Sequence, residues 1–268
     1  MNGDKGFCAL ITGASRGLGR AFARECAARG MDLLLVALPD SGLPDVGSSL
    51  AREFGIEAAW LEADLTEPGV VERLLEIARG KLWRIGLLVN NAGIGGVRPF
   101  MECGLDCLEA TVRLNALVLV RITRAVLDSD VGGPSGPRRL RILNVASLGA
   151  SFPMPTLAVY AATKSFVLNF SLALREELAG RASVSVLCPN AFATTAEVGD
   201  YVARFGLLSR LACLPTERIA REALDGAERG MAIVVPGAFN RALAAIGRLL
   251  PRKVVMRAIG RTWGGFYA

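Results

Sequence analysis

Short apolar runs alternate along the chain with longer segments in which apolar residues recur every three or four positions. Seven apolar runs are predicted as β-strands, at residues 7–12, 31–37, 56–63, 85–90, 140–147, 183–188 and 232–237. The amphipathic segments are predicted as helices, at residues 17–29, 48–54, 70–79, 104–127, 156–179 and 216–229. Almost continuous apolar strands that alternate with amphipathic helices are typical of a parallel sheet covered on both faces. We therefore predict a doubly wound α/β fold with a seven-stranded parallel sheet.

The length of 268 residues and a hydrophobic content of 52% indicate a single large core. We predict one domain over residues 1–239 and a C-terminal extension over 240–268. The uncharged run at 142–163 is long enough to cross a bilayer, but its asparagine, serines and two prolines argue against a membrane span. The N-terminus does not read as a signal peptide, and the six cysteines have no paired spacing. We therefore expect reduced thiols in a cytoplasmic protein.

Positive charge is concentrated at the end of the chain. The segment 240–268 contains no acidic residue, and its six cations account for the whole net charge of +6. These cations are Arg241, Arg248, Arg252, Lys253, Arg257 and Arg261. Any contact with a polyanion is therefore expected at this extension. No platform of aromatic and basic residues accompanies it, so we do not expect nucleic-acid binding.

The chain contains no histidine, which excludes several kinds of active site. Ser-His-Asp and Cys-His nucleophiles, imidazole acid/base groups and histidine metal sites are all ruled out. Cys103 and Cys107 could share a helical face, but two thiols without further ligands make a poor zinc site, so we predict no metal. A general acid must be a tyrosine, lysine, cysteine or carboxylic acid.

Two glycine-containing motifs lie at predicted strand ends. Gly13, Gly17 and Gly19 lie where the first strand turns into the first helix, a place where the backbone can pass close to a pyrophosphate. The sequence NNAG at 90–93 ends the fourth strand, and its small residues could hold the backbone open beside a cofactor. A tightly packed turn and a simple strand-ending turn are the alternative interpretations.

Three polar side chains are predicted at the same edge of the sheet. Ser147 ends the fifth strand, and Tyr160 and Lys164 begin the next helix one turn apart, so they share a helical face. Individually these residues are more often a cap, a half-buried tyrosine and a solvated lysine. Their convergence with the glycine turn favours a site in which the tyrosine moves a proton.

In combination, these motifs resemble the short-chain dehydrogenase/reductase family. The matching elements are TGxxxGxG at Thr12–Gly19, Asp64 after the third strand, NNAG at 90–93, Asn115, Ser147, and YxxxK at Tyr160–Lys164. The resemblance covers roughly residues 5–195, and the later part is similar to the ketoacyl-reductase subgroup. It implies a single-domain Rossmann fold, a nicotinamide cofactor and reversible interconversion of a carbonyl and an alcohol.

The resemblance also implies a role for each motif residue. Tyr160 would be the acid/base, and Lys164 would lower the pKa of its phenol and hold the nicotinamide ribose. Ser147 would hydrogen-bond the substrate oxygen, and Asn115 would maintain the active-site helix and position a relay water. The cofactor would be bound by Thr12, Gly13, Ser15, Arg16, Gly17, Leu18, Gly19, Asp64, Leu65, Asn91, Ala92, Gly93, Tyr160, Lys164, Pro189, Asn190 and Thr194.

The sequence departs from the family pattern at two places. Asn190 stands where the family usually has glycine after the sixth strand. At the end of the second strand Leu38 replaces the acid typical of NAD enzymes, and it is not the arginine common in NADP enzymes. Arg16 in the glycine turn is then the candidate for a 2′-phosphate. We therefore predict NADP(H) as the preferred cofactor, with NAD as the alternative.

Two segments, 148–157 and 196–214, are expected to flank the substrate, the second as part of a lid at about 195–214. Their apolar members are Phe152, Met154, Leu157, Val198, Tyr201, Val202, Phe205, Leu207, Leu208 and Leu211. We predict an apolar carbonyl substrate: a fatty acyl or acyl-carrier-linked compound, a steroid-like ketone or a simple hydrophobic ketone. Packing of the lid alone is the other interpretation of these residues.

The C-terminal extension has an apolar and a basic stripe at helical spacing. The apolar stripe comprises Leu243, Ile246 and Leu250, and the basic stripe comprises Arg241, Arg248 and Arg252. Such a helix could lie on an anionic membrane as a peripheral contact, cover the substrate pocket or pack against a second subunit. The resemblance implies a homodimer or homotetramer that pairs through the helices at 104–127 and 156–179.

A second functional class is a non-catalytic, dinucleotide-binding interaction protein whose basic extension contacts a membrane or polyanion. The complete set of Asn115, Ser147, Tyr160 and Lys164 argues against it, because a binding protein does not need all four.

Overall fold

The computed structural model describes residues 6–95, 99–131, 139–190, 212–251 and 253–257. Its sheet has seven strands, all parallel to their neighbours, in the order β3-β2-β1-β4-β5-β6-β7. The strands are β1 (Phe7–Thr12), β2 (Asp32–Ala37), β3 (Ala58–Glu62), β4 (Arg84–Asn90), β5 (Leu140–Val145), β6 (Ala182–Leu187) and β7 (Ile233–Val234). The predicted doubly wound parallel sheet is confirmed.

Besides a short helical segment at 253–257, eight α-helices accompany the sheet in the described part of the chain. They are α1 (Gly17–Ala28), α2 (Leu43–Phe54), α3 (Val70–Gly80), α4 (Leu105–Val112), α5 (Leu119–Asp128), α6 (Ala158–Glu177), α7 (Thr216–Glu228) and α8 (Ala238–Leu249). A π-helical segment, Arg113–Val118, joins α4 to α5, and short 3₁₀ turns occur at Phe100–Glu102 and Leu148–Ser151.

The strands are apolar on both faces because both faces are covered. In β2, Leu33 and Leu35 pack with α1, α2 and α7, while Leu34 and Val36 pack with α3 and α5 on the opposite side. All four side chains are fully buried. Side chains alternate between faces along a strand, so a continuous apolar run is what a doubly covered parallel strand requires.

Three elements differ from their predicted form. α2 begins at Leu43 rather than residue 48, because Gly42 adopts φ +72° and Pro44 lies in the first turn, where its missing N–H costs nothing. β7 has only two residues, Ile233 and Val234, and pairs with β6 at the edge of the sheet. The helix predicted over 104–127 is interrupted by the π-helical segment.

The strand order places the opening of the sheet between β1 and β4. The chain runs from β1 outwards to β3, then returns to β4 on the other side, so the connections leave β1 and β4 in opposite directions. Ligands of open parallel sheets bind at this point, outside the carboxyl ends of the strands. Thr12 ends β1 and Asn90 ends β4, so both motifs predicted from glycine and asparagine residues lie there.

Candidate active site

The glycine turn after β1 brings backbone closer than side chains would allow. Gly13 adopts φ +67° and Gly17 φ +54°, a region that favours glycine. A Cβ on Gly19 would overlap the carbonyl oxygen of Gly13 and come within 2.7 Å of Asn91 Nδ2. α1 therefore approaches the turn only because residue 19 has no side chain.

The N-terminus of α1 is available to an anion. No side chain caps this helix end, and its first turn contains no acidic residue. The unbonded N–H groups of a first helical turn and the positive end of the helix dipole attract phosphate. Together with the glycine cradle, this end of α1 fits the pyrophosphate of a dinucleotide.

A small polar network joins the turn after β1 to the turn after β4. The hydroxyl oxygen of Thr12 accepts the N–H groups of Asn91 and Ala92, each at 2.9 Å. The side-chain amide of Asn91 donates to the carbonyl oxygen of Thr12 at 2.8 Å. These bonds hold the two turns in register, so Thr12 and Asn91 shape the cradle by binding protein atoms.

Asn115 lies in the π-helical segment and is 2% exposed. Its Oδ1 accepts the N–H of Ile94 at 2.8 Å, and its Nδ2 donates to the Ile94 carbonyl oxygen at 2.9 Å and to Thr163 Oγ1 at 3.1 Å. Thr163 Oγ1 in turn donates to the carbonyl oxygen of Tyr160 at 2.7 Å. Asn115 therefore links the segment after β4 to the first turn of α6. The relay water expected beside it stays a prediction.

Ser147, Tyr160 and Lys164 lie together, as predicted from their positions along the sheet edge. Ser147 follows β5, and its Oγ accepts the N–H of Gly149 at 3.1 Å. Lys164 is buried on α6 and donates to the carbonyl oxygen of Val145 at 2.9 Å. Its Nζ lies 5.8 Å from the centre of the Tyr160 ring.

The electrostatics of this cluster differ from the expectation for one of its members. Burial raises the pKa of the Tyr160 phenol, and hydrogen bonding with Ser147 opposes that rise. Burial lowers the pKa of Lys164 to about 8. Lys164 was expected to lower the pKa of Tyr160, but in this geometry desolvation is the largest influence on both groups.

The chain matches the family model of the short chain dehydrogenases over residues 8–201, which is more than half of its length. The chain belongs to the short-chain dehydrogenase family. The bovine (Bos taurus) very-long-chain 3-oxoacyl-CoA reductase is 33% identical over 173 residues, which cover 63% of this chain and 54% of that one. The human 17-beta-hydroxysteroid dehydrogenase type 3 is 33% identical over 190 residues, covering 69% and 59% respectively.

A solved structure agrees with this assignment over nearly the whole chain. The short-chain dehydrogenase from Sphingobium yanoikuyae in complex with NADPH is 31% identical, with a TM-score of 0.72 and coverage of 93% of this chain and 95% of that chain. In contrast, this short-chain dehydrogenase spans little more than half the length of the curated relatives it matches. The ketoacyl-reductase-like resemblance is confirmed at the level of the family.

Four other predicted cofactor residues of this short-chain dehydrogenase lie in the turns that follow β1 and β3. Arg16 is exposed immediately before α1, and Ser15 is half-buried beside it. Asp64 accepts the N–H and the hydroxyl of Thr66 at 2.8 Å each, which shapes the turn after β3, and Leu65 is buried. Thr194 lies outside the described residues, as do the predicted substrate residues from Val198 to Leu211.

Sequence reasoning missed a second polar network behind the site. Asn90 Nδ2 donates to Thr123 Oγ1 at 3.0 Å and to Asn144 Oδ1 at 2.8 Å, and Asn144 Nδ2 donates to Ser171 Oγ at 2.9 Å. All four residues are buried. The signal in the sequence was an asparagine near the carboxyl end of each of two largely apolar strands. The network joins β4 and β5 to α5 and α6.

Asn240 on α8 was also missed, although it bonds a predicted cofactor residue. Its Oδ1 accepts from Asn190 Nδ2 at 3.0 Å.

In the described part of the chain, no helix has the length and apolar character needed to cross a bilayer, and no cluster of cysteine and carboxylate side chains suits a metal ion.

Proposed function

We propose that the protein is an NADP(H)-preferring oxidoreductase that interconverts a carbonyl and a secondary alcohol on an apolar substrate. The observation that carries this proposal is the cluster of Ser147, Tyr160 and Lys164 beside the glycine cradle, with Asn115 holding the first turn of α6. A bound nicotinamide supplies the hydride to the carbonyl carbon or receives it from the alcohol.

Tyr160 is the proton donor in carbonyl reduction. Its raised pKa keeps the phenol protonated at neutral pH, which is the form that donates to a carbonyl oxygen as negative charge develops there. Ser147 accepts the N–H of Gly149 and can donate its own hydrogen to the same substrate oxygen. Alcohol oxidation instead requires the phenolate form of Tyr160, which is populated at alkaline pH and takes up the proton that the hydroxyl group releases.

Lys164 is held where its ammonium can serve both a cofactor and Tyr160. The Val145 carbonyl oxygen accepts a hydrogen bond from one N–H of the ammonium, with a distance of 2.9 Å from Nζ to the oxygen. Two N–H groups remain to donate to a ribose hydroxyl and to the Tyr160 oxygen. A Cβ on Gly93 would lie 3.4 Å from Nζ, so the glycine keeps the approach to this ammonium open.

The residues beside the 2′ position support NADP(H). Leu38 is 58% exposed at the end of β2, where a carboxylate would bind the ribose hydroxyls of NAD. Arg16, at the mouth of the cradle, can pair with a 2′-phosphate. The structure from Sphingobium yanoikuyae, which is 31% identical, holds NADPH.

Substitution of Arg16 tests this preference. We expect Arg16→Ala to raise KM for NADPH by about 10-fold or more while leaving KM for NADH within about twofold, because a charge-assisted phosphate contact is worth roughly 1.5–3 kcal/mol. Steady-state kinetics with both cofactors measures the change, and Arg20→Ala, at an exposed arginine in the first turn of α1, is the matched control. A wild-type preference for NADH that Arg16→Ala leaves unchanged would contradict the NADP(H) assignment.

An apolar carbonyl substrate is supported by two observations. The described segment that follows Ser147 contains Phe152, Met154 and the buried Leu157, none of which is charged. The matched relatives include proteins described as a very-long-chain 3-oxoacyl-CoA reductase and a 17-beta-hydroxysteroid dehydrogenase, both of which imply apolar substrates. Acyl thioesters and steroid-like ketones are accordingly the first compounds to examine.

The decisive experiment is a panel of carbonyls and alcohols, followed by nicotinamide absorbance with NADPH, NADP, NADH and NAD. We expect turnover to be fastest on apolar ketones or 3-oxoacyl thioesters. Best turnover on short polar sugars or hydroxy acids would refute the apolar substrate. Cofactor binding without turnover on any compound would instead favour the non-catalytic, dinucleotide-binding interaction protein.

We also propose that the protein forms a homodimer or homotetramer through α4, α5 and α6. Exposed apolar side chains lie on and between these helices, which is unusual for a surface that faces only water. They are Leu105, Val112, Leu117 and Phe166. Sedimentation velocity on the full chain tests the oligomeric state.

We propose that α8, at the start of the C-terminal extension, makes a peripheral contact with an anionic lipid surface. α8 and the residue after it expose apolar side chains on successive turns: Phe239, Leu243, Ile246, Leu249 and Leu250. The segment 240–268 carries six cations and no acid, which complements anionic lipids. The same charge opposes pairing between two copies of this extension.

Substitution within this apolar stripe tests the lipid contact. We expect the full chain to sediment with vesicles that contain phosphatidylserine, more weakly at high salt, and Ile246→Glu to abolish the binding. Leu82→Glu is the matched control, because Leu82 is 87% exposed on the turn between α3 and β4. If the wild type ignores anionic vesicles and Ile246→Glu dissociates an oligomer, the stripe belongs to a subunit interface instead.

A further inference from the structure

A single buried amide connects three separate stretches of the chain at the carboxyl edge of the sheet. Asn240 lies on the first turn of α8 and is 1% exposed. Its Nδ2 donates to the carbonyl oxygens of Ala212 and Pro236, each at 3.0 Å. Its Oδ1 accepts from Asn190 Nδ2 at 3.0 Å. Both N–H hydrogens and the oxygen of this side chain are therefore in use.

The bond to Asn190 leads directly towards the catalytic cluster. Asn190 follows Pro189, whose carbonyl oxygen accepts the N–H of Leu148 at 2.8 Å. Leu148 is the neighbour of Ser147 and begins the 3₁₀ turn in which the N–H of Gly149 donates to the Ser147 hydroxyl oxygen. A continuous path of short contacts thus runs from Asn240 through the segment after β6 to Ser147.

The N-terminus of α8 is fixed by contacts with α7 and with Leu214. The N–H of Gly237 donates to Glu222 Oε2 on α7 at 2.9 Å. Gly237 adopts φ +80°, and a Cβ there would approach Leu214 Cδ1 to 2.9 Å. The first turn of α8 therefore has little freedom to shift, so Asn240 is a rigid support for whatever it bonds.

We propose that Asn240 is a positioning residue that sets the Pro189–Asn190 segment against the nicotinamide end of the cofactor and, through Leu148, sets the position of Ser147. This inference rests on the proposed function, since it assigns a role within that site. Asn190 occupies the position where the family usually has glycine, so its side chain provides a link that a glycine could not. The C-terminal helix thereby becomes part of the active-site support.

The test compares Asn240→Ala with Ser185→Ala. Ser185 is a buried residue on β6 whose hydroxyl donates to the Met231 carbonyl oxygen at 2.6 Å, away from the cluster. Both substitutions remove buried hydrogen bonds and should lower the melting temperature. We expect only Asn240→Ala to raise the Kd of NADPH, by about 10-fold, and to lower kcat with the preferred carbonyl. Nicotinamide fluorescence reports the Kd.

Asn190→Ala keeps the test valid if Asn240→Ala does not fold. It removes the same link from the other side and leaves the two bonds from Asn240 to carbonyl oxygens in place. We expect a similar rise in Kd, and the double variant should be no worse than the more affected single variant. If Asn190→Ala and Asn240→Ala resemble Ser185→Ala, with lower stability and an unchanged Kd and kcat, the positioning role is wrong.

Failure of the proposed function is distinguishable from failure of this inference. A wild-type protein that binds NADPH but turns over no carbonyl would refute the oxidoreductase, while the Kd comparison would still decide the role of Asn240. A wild-type protein that binds neither NADPH nor NADH would overturn both.

Discussion

Tyr160→Phe is expected to lower kcat by about 10²–10⁴-fold while leaving the Kd of NADPH within about twofold. The phenol is the acid/base group that the geometry offers to a carbonyl oxygen, because it lies beside Ser147 and Lys164 and the chain contains no histidine. Phenylalanine keeps the ring and its packing, so the substitution removes the transferable proton and little else. Initial rates with the best substrate from the carbonyl panel measure the effect.

The control for Tyr160→Phe is the cofactor complex. Nicotinamide fluorescence and thermal melting should match the wild type, which would show that the first turn of α6 and its bonds through Thr163 to Asn115 persist. Activity above about one-tenth of wild type would remove Tyr160 from the mechanism. Normal cofactor binding and an unchanged biological effect, with no turnover in either protein, would support the interaction protein instead.

Gly19→Ala is expected to damage both the fold and the cofactor site. The added methyl group would overlap the Gly13 carbonyl oxygen and lie 2.7 Å from Asn91 Nδ2, so α1 must move away from the glycine turn. Backbone atoms cannot rotate aside as a side chain can. We expect a cost of about 1–3 kcal/mol in the free energy of unfolding and a melting temperature lower by several degrees. NADPH binding should fall by at least about 10-fold, because the pyrophosphate cradle changes shape.

Gly80→Ala is the matched control for this substitution. Gly80 ends α3, and a Cβ there would meet no atom within 4 Å. Alanine is favoured over glycine in helices by up to about 1 kcal/mol, so this variant should be as stable as the wild type or slightly more stable. Equal melting temperatures and equal NADPH affinities for Gly19→Ala and Gly80→Ala would show that the close approach of α1 is not required.

The two variants test two different functions of the same site, cofactor binding and proton transfer. In the proposed function, Gly19 would allow a dinucleotide to lie against the end of α1, and Tyr160 would exchange the proton with the bound substrate. The hydrogen bonds from the N–H groups of Asn91 and Ala92 to Thr12 connect the two parts of the site, because they hold the turns after β1 and β4 together. A loss of activity at residue 19 should therefore appear in cofactor affinity, whereas a loss at residue 160 should appear in kcat.

Most of the sheet was predictable because its strands are buried on both faces. β1 agrees with its predicted bounds, and β4 and β5 agree to within two residues, since an apolar run between turn residues has few alternatives. α2 was less predictable because its amphipathic pattern, Leu43, Val46 and Leu50, is interrupted by Gly47 and two serines. Glycine is required at position 47 because a Cβ there would lie 2.6 Å from the ring of Trp60. Trp60 lies in a different element, so the helical pattern does not show this contact.

The sequence by itself determined the succession of strands and helices along the chain, the glycine turn and the spacing of Ser147, Tyr160 and Lys164. These are local properties, since hydrophobic period and turn chemistry act over a few residues. Only the tertiary structure decided how far Tyr160 and Lys164 are removed from water, which sets their pKa directions, and the meeting of Asn190 with Asn240. Desolvation and hydrogen bonding depend on atoms that are far apart along the chain, so the linear pattern does not contain them.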